Sequence, residues 1–306
     1  MKMIIDTDPG IDDAMAFYYA FKSERCDVIA LTTVFGNVTI ADATKNALWL
    51  GDTVDAPIPV YRGASKPRDI APNPPTVHVH GLHGFGDVDI DDVIREAESE
   101  SAAEFLVGAA ASSPGELTVC AIGPLTNIAL ALEIDPDFIS NLKRLVIMGG
   151  SLDAGGNITP HAEANFWNDP HAAKSVLTAP GDGEIVIVGL DVTTKIAITQ
   201  SEIDTLAVNS PKVGGFLKKI GEFYMRFYES VNGYYEAYLH DPAEVIACET
   251  PEFFEMIDVR LNVVTQGENI GEMIRDKTVS RVCKVCIASN SDAIVNQFVD
   301  VTSTNL

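Results

Sequence analysis

The chain has 306 residues, is 46% hydrophobic and carries a formal net charge of −23. A strongly negative surface argues against binding to nucleic acid or to an anionic membrane, because both need clustered Lys and Arg. No apolar run reaches the roughly 20 residues of a membrane helix. The N-terminus, MKMIIDTDPG, lacks the long apolar segment of a signal peptide, so the sequence predicts a cytoplasmic protein.

Short apolar runs rich in β-branched residues alternate with helical patterns along the chain. The predicted strands cover residues 3–6, 28–34, 117–122, 144–150 and 184–192, and the predicted helices cover residues 12–22, 40–52, 101–112, 125–133 and 170–178. A longer helical pattern rich in aromatics spans residues 211–239, and residues 278–301 are typical of a strand followed by a helix. Near-continuous apolar strands between helices indicate a mostly parallel sheet covered on both faces, so we predict one α/β domain over residues 1–306.

Polar and glycine-rich stretches follow several of the predicted strands. They are residues 63–92 and 149–170, while Asp8, Asn37, Ile122 and Asp191 lie at further strand ends. Ligands of open α/β sheets bind outside the carboxyl ends of the strands. The sequence therefore predicts one site at that edge of the sheet.

Four aspartates lie close together directly after the first predicted strand, Asp6, Asp8, Asp12 and Asp13 in the stretch MIIDTDPGIDDAMAF. Like charges at this density repel, so something must neutralise them. Asp12 or Asp13 can cap the following helix, where carboxylates favour the positive end. That role does not explain all four. A hard divalent cation does, because Ca²⁺ takes roughly six to eight oxygen ligands from carboxylates, carbonyls and water.

Other interpretations of the aspartate cluster are weaker. An EF-hand loop would need its glycine one position later and a glutamate at its end. The phosphate-binding motif G-x-x-x-x-G-K-[ST] is absent from the sequence. An aspartyl-nucleophile phosphatase stays the enzymatic alternative, with Asp6 as nucleophile and Asp8 as acid. Lys195, Asn168 or Asp169, and Mg²⁺ would complete that site.

The stretch DTDPGIDDA resembles the N-terminal signature of the inosine–uridine-preferring nucleoside hydrolases. Further blocks follow in the family's order, namely VFGN (34–37), HGLHGFGD (80–87), AIGPLTNIALAL (121–132), VIMGG (146–150), GNITPHAEANFWNDPHAA (156–173), VGLDVT (188–193) and HDP (240–242). The resemblance implies a Rossmann-like α/β domain that hydrolyses the N-glycosidic bond of purine or pyrimidine ribonucleosides. The products would be free base and ribose, formed through an oxocarbenium-like transition state by a water that one Ca²⁺ ion activates.

The resemblance also implies the metal ligands. They are the carboxylates of Asp8, Asp13 and Asp241 and the main-chain carbonyl of Ile122. Asp8 would also act as the general base that takes a proton from water. Because Asp241 is far along the sequence, the metal would join two distant parts of the chain.

The same resemblance implies which residues contact the ribose. Asp12 would hydrogen-bond a ribose hydroxyl, and Asn37 matches a family position near the metal and the sugar. Asn157, Glu163 and Asn165 match the family's ribose-binding residues.

The resemblance identifies the base-contacting residues less completely than the ribose-contacting ones. His240 fits the general acid of members that accept both purines and pyrimidines, since an imidazole titrates near neutrality. His80 matches a family histidine that faces the base. Tyr234 and Tyr235 fall in the stretch that folds over the base in relatives. His83 departs from the common pattern of its loop, and we expect it to be exposed to solvent.

Two further matters stay predictions at this stage. A catalytically silent nucleoside-binding protein remains an alternative, and we expect a homodimer or homotetramer that serves nucleoside salvage.

The five cysteines, few and odd in number, indicate reduced thiols. Cys283 and Cys286 lie three apart in a predicted strand and so should face opposite sides, which argues against a shared metal.

Overall fold

The computed structural model describes residues 1–54 and 58–304. Its strands are β1 (Lys2–Thr7), β2 (Asp27–Thr33), β3 (Val60–Arg62), β4 (Thr118–Ala121), β5 (Arg144–Met148), β6 (Ile185–Val188), β7 (Ala197–Thr199), β8 (Glu236–Tyr238), β9 (Phe254–Val259), β10 (Leu261–Val263), β11 (Met273–Arg275) and β12 (Cys283–Ser289). Its helices are α1 (Ile11–Lys22), α2 (Ile40–Thr53), α3 (Val77–His80), α4 (Ala102–Ser112), α5 (Thr126–Ile134), α6 (Phe138–Asn141), α7 (Ala164–Asn168), α8 (Pro170–Thr178), α9 (Leu190–Thr193), α10 (Gln200–Asn209), α11 (Val213–Asn232), α12 (His240–Glu249) and α13 (Ser291–Thr302), with a 3₁₀ turn at Pro251–Phe253.

Eight strands form the central sheet in the order β3-β2-β1-β4-β5-β6-β12-β9. Every neighbouring pair is parallel except β12 and β9, which confirms the predicted α/β fold with a mostly parallel sheet. The chain first builds outward from β1 through β2 and β3, and then returns to the other side of β1 with β4. The strand order therefore reverses between β1 and β4, and a crevice at such a reversal is where open sheets bind ligands.

Helices cover both faces of this sheet. Along β1, Met3 and Ile5 join one hydrophobic cluster with residues of α1, α2 and α11, while Ile4 joins a second cluster with residues of α4, α5 and α8. Cys286 belongs to the first cluster and Cys283 to the second, which confirms that they point to opposite faces. All five cysteines are free thiols.

Two predicted boundaries were wrong. The strand expected over residues 184–192 ends at Val188, because Gly189 starts the helical turn α9. The helical pattern over residues 211–239 ends at Asn232, where Gly233 takes a left-handed conformation (φ 79°) and β8 follows. Such a glycine is a common helix end, since it lacks the Cβ that would clash. Among the described residues, no helix is long and apolar enough to cross a membrane.

Asn127, at the start of α5, ties together the ends of neighbouring strands. Its Nδ2 donates to Oδ1 of Asp6 (2.7 Å) and to the carbonyl of Thr33 (3.0 Å), and its Oδ1 accepts from the amide of Ala64 (2.9 Å). The side chain is fully buried. A shorter side chain at position 127 would leave the Asp6 carboxylate, the Thr33 carbonyl and the Ala64 amide without this hydrogen-bond partner.

We predict that Asn127→Ser lowers the free energy of unfolding by about 2–4 kcal/mol, because several buried polar groups lose their partners. Urea unfolding followed by circular dichroism measures this change. Asn209→Ser is the matched control, since Asn209 is exposed and should shift the free energy by under about 0.5 kcal/mol. Equal effects of the two substitutions would contradict the prediction.

Candidate active site

A cavity of about 460 Å³ opens at the carboxyl edge of the sheet. Residues from α1, α3, α7, α11 and α12 and from the loops after β2, β4 and β5 form its walls. Most of the site residues expected from the sequence line this cavity, namely Asp12, Asn37, His80, Ile122, Asn157, Glu163, Asn165, His240 and Asp241. Asp8 and Asp13 lie behind Asn37, whose main-chain amide donates to Oδ2 of Asp8 (2.6 Å) and whose Nδ2 donates to Oδ2 of Asp13 (3.1 Å).

Buried carboxylates converge on the floor of the cavity. Asp12, Asp13 and Asp241 each offer an oxygen within 4.8 Å of the others. Oδ1 of Asp8 and Oδ1 of Asp12 are buried without a hydrogen-bond partner. Burial and, second, the charge of Asp13 raise the pKa of Asp8 well above its usual range and that of Asp12 to about 8. Unpartnered hard oxygens at this density fit a divalent cation such as Ca²⁺ or Mg²⁺.

Two glycines make room for the carboxylate of Asp8. A Cβ on Gly36, in the VFGN block, would overlap Oδ2 of Asp8, and a Cβ on Gly123 would lie 2.7 Å from its Oδ1. Any larger residue at these positions would have to displace the carboxylate. The glycines therefore fix Asp8 from both sides.

Asp13 organises the turn between β1 and α1. Its Oδ1 accepts from the Thr7 hydroxyl (2.6 Å) and the Asp8 amide (3.3 Å), and its Oδ2 accepts from the Gly10 amide (2.9 Å) as well as from Asn37. Four donors hold the carboxylate and the turn around Asp8 in place, and an oxygen of Asp13 also belongs to the carboxylate cluster with Asp12 and Asp241. Asp13 is thus both a loop anchor and a candidate ligand.

Glu163 caps the N-terminus of α7 and accepts hydrogen bonds from three main-chain amides. These come from Gly150 (2.9 Å), Asn165 (2.8 Å) and Phe166 (3.1 Å). Burial raises the pKa of Glu163 to about 7 against the lowering effect of these bonds. Because a carboxylate has about four acceptor positions, one position stays open toward the cavity.

Asn165 joins the ends of β4 and β5 below the cavity. Its Nδ2 donates to the carbonyl of Ile122 (2.9 Å) and to that of Met148 (3.1 Å). Both donor hydrogens are used in this way, so the Asn165 side-chain oxygen is the atom left for a ligand. Asn157 is tied to the same loop, because its Oδ1 accepts from the Ala164 amide (3.0 Å).

A hydrogen-bonded chain runs from α9 to the carboxylate cluster. The Thr193 hydroxyl lies 2.7 Å from Nδ1 of His240, and Nε2 of His240 lies 2.9 Å from the Tyr228 hydroxyl. The Tyr228 and Tyr224 hydroxyls are 3.2 Å apart, and Tyr224 donates to Oδ2 of Asp12 (3.2 Å). Burial lowers the pKa of His240 to about 4. When Asp12 is ionised, every bond of the chain donates toward it, and a neutral His240 then carries its proton on Nε2.

His80 stands against the loop that follows β1. Its Nδ1 accepts from the main-chain amide of Ile11 (3.2 Å), and a Cβ on Gly10 would lie 2.5 Å from this nitrogen. Burial lowers the pKa of His80 to about 3. The ring is therefore neutral and carries its proton on Nε2. His83 in the same loop is exposed, as expected, and its ring lies 3.1 Å from Asp42.

Neither Tyr234 nor Tyr235 lines the cavity, so the geometry does not support base contact by this pair. They are 68% and 38% exposed, because α11 stops before them at Gly233. The tyrosines that do line the cavity are Tyr224, Tyr228 and Tyr238. Sequence reasoning missed all three. The four-residue spacing of Tyr224 and Tyr228 on a helix is typical of core aromatics.

The phosphatase alternative finds no support in this geometry. Asp6, its nucleophile, is fully buried and does not line the cavity. Lys195 donates to the main-chain carbonyl of Asp191 (2.6 Å), and Asp169 caps α8 through the Ala172 amide (2.9 Å). These residues do not converge on a substrate.

The model of the inosine-uridine preferring nucleoside hydrolases matches residues 3–300. The chain belongs to this family. Uridine nucleosidase 1 of Arabidopsis thaliana is 40% identical over 281 residues, which are 92% of this chain and 83% of that protein. The non-specific ribonucleoside hydrolase RihC of Salmonella schwarzengrund is 38% identical over 269 residues, covering 88% of this chain and 85% of that protein.

The solved structure of the plant nucleoside hydrolase PpNRh1 has a TM-score of 0.94 and 32% identity to the chain, covering 99% of this chain and 98% of that one. As a nucleoside hydrolase the protein is an enzyme that cleaves the N-glycosidic bond of ribonucleosides. The family is metal-dependent, in keeping with the buried aspartate cluster.

We predict that Gly36→Ala weakens divalent-cation binding and activity by about 10–100-fold, because the added methyl group displaces Asp8. Calorimetric titration of the divalent cation into chelator-treated protein measures the affinity, and steady-state rates measure the activity. Gly108→Ala is the matched control, since a Cβ at Gly108 in α4 meets nothing within 4 Å. Wild-type metal affinity in Gly36→Ala would contradict the assigned place of Asp8.

Proposed function

We propose that this nucleoside hydrolase depends on Ca²⁺ and releases both purine and pyrimidine bases from ribonucleosides. The observation that carries the proposal is the cluster of buried carboxylates with unpartnered oxygens on the cavity floor. Asp8, Asp13, Asp241 and the Ile122 carbonyl would hold the ion. A bound Ca²⁺ ion would supply positive charge that orients ribose hydroxyls and polarises a water molecule.

The surrounding side chains have separate roles in the reaction at the ribose. Asp8 accepts a proton from the attacking water. The negative charge of the site stabilises the ribosyl cation that develops as the base departs. Asp12 and the open acceptor position of Glu163 bind ribose hydroxyls, together with the amides of Asn37, Asn157 and Asn165.

The leaving base takes its hydrogen bond or proton from the opposite wall of the cavity. His240 and Tyr228 both line this wall and share one hydrogen bond. His80, whose Nδ1 accepts from the Ile11 amide, presents its Nε2 proton as a hydrogen-bond donor. Because a nonspecific ribonucleoside hydrolase and a uridine nucleosidase both resemble the chain, we propose a broad base range.

Other aspects of the proposal rest on the sequence. They are a single domain over residues 1–306, a cytoplasmic location, assembly as a homodimer or homotetramer, and a role in nucleoside salvage. The silent-binder alternative is disfavoured, because Asp8, Asp241 and His240 are all present at the site.

We predict that removal of bound metal with a chelator abolishes activity and that added Ca²⁺ restores hydrolysis of uridine and inosine. 2′-Deoxyuridine should be cleaved with a kcat/KM lower by about 100–1000-fold, because it loses a metal contact and a hydrogen bond to buried groups. Release of base and reducing sugar measures both effects. Full activity after thorough chelation would overturn calcium dependence, and equal rates on uridine and 2′-deoxyuridine would overturn the ribose assignment.

We predict that His240→Ala slows inosine hydrolysis by about 10²–10⁴-fold, the usual range for general acid catalysis. It should slow p-nitrophenyl riboside far less, because p-nitrophenolate leaves without a proton. Tyr228→Phe should show the same contrast, and Tyr235→Phe, outside the cavity, should match the wild type. Equal losses on the two substrates would mean that His240 supports the metal site instead.

A further inference from the structure

Asn46 lies on α2, outside the main cavity, and is only 1% exposed. Its Nδ2 donates to the carbonyl of Pro9 (2.9 Å) and to the carbonyl of His83 (2.7 Å). These carbonyls belong to two separate loops that each carry site residues. We name residues 8–10 the metal loop and residues 80–84 the histidine loop. One buried amide thus bridges two parts of the active site.

The two loops pass each other at very short range beside Asn46. Gly84 has a left-handed backbone (φ +98°), and a Cβ there would lie 2.5 Å from the Pro9 carbonyl and 2.7 Å from Nδ2 of Asn46. Carbonyl oxygens repel each other unless a donor lies between them. The Asn46 amide supplies that donor to both loops at once.

Each loop adjoins a residue of the proposed site. Asp8 precedes Pro9 directly, and His80 lies three residues before His83. The loops also meet at the His80 ring, which packs against Gly10. A second residue of α2, Asp42, lies one helical turn before Asn46 and contacts the His83 ring. α2 therefore holds the histidine loop at two points, of which only Asn46 also holds the metal loop.

We propose that Asn46 is a positioning residue that sets the distance between Asp8 and His80. Without its amide, the carbonyls of Pro9 and His83 lose their shared donor and the loops move apart. A shift of about 1 Å in a catalytic group can cost about 100-fold in rate. Asn46 acts only through the loops, since it does not line the cavity. The inference rests on the proposed function in that Asp8 serves the metal.

The test compares Asn46→Leu and Asn46→Ser with the wild type. Leu keeps the size of the side chain and removes both donors, whereas Ser shortens it. We expect both variants to lose about 10–100-fold in kcat/KM on uridine and to bind the activating divalent cation several-fold more weakly. Steady-state kinetics and calorimetric titration of chelated protein supply these readouts. If Asn46→Leu does not fold, Asn46→Ser decides.

Asn127→Ser is the matched control, because Asn127 is equally buried and its Nδ2 also donates to two acceptors. It should lower the unfolding midpoint as Asn46→Ser does, yet keep kcat/KM and cation affinity within about twofold of the wild type. Wild-type values for Asn46→Leu, or equal losses in Asn127→Ser and Asn46→Ser, would overturn the inference. Wild-type protein that neither binds the cation nor cleaves uridine would instead contradict the proposed function.

Discussion

Repulsion among buried carboxylates is the constraint on which the rest of the structure depends. Asp8 comes from the turn after β1, Asp12 and Asp13 come from the first turn of α1, and Asp241 comes from α12. The folded pKa of Asp12 is about 8 against an ordinary 3.8. Its ionisation therefore costs stability as pH rises between these values, because the folded state binds more protons than the unfolded chain. A divalent cation removes that cost, so metal binding and folding are coupled.

The hydrogen bonds around the cluster connect the metal site to the leaving-group wall. Asp12 is the acceptor at the end of the chain through Tyr224, Tyr228 and His240. A cation that keeps Asp12 ionised therefore also sets the direction in which these three groups donate. His240 then holds its proton on Nε2 and needs Thr193 as donor on the other nitrogen. The ionised state of Asp12 and the position of the His240 proton therefore depend on the same cation.

Carboxylates also hold the loops of this strongly acidic chain. Asp191 accepts from the amides of Leu152 (2.6 Å), Asp153 (2.8 Å) and Ala154 (3.1 Å), much as Glu163 accepts three amides farther along the same loop. Loops without regular secondary structure leave main-chain donors unpaired, and a buried carboxylate satisfies several at once. The loop between β5 and α7 is thereby fixed without a strand or helix of its own.

The sequence predicts well those features that depend on local pattern. Alternating apolar strands and helices indicate the sheet, and the spacing of aspartates after β1 indicates the buried carboxylate cluster, because both are set by neighbours along the chain. Tyr224 and Tyr228 could not be assigned in this way, since helical periodicity reports that a side chain is buried but not which partner it meets. Asn46 is a similar case. It looks like an ordinary polar residue of α2, and only the fold brings the Pro9 and His83 carbonyls to its amide.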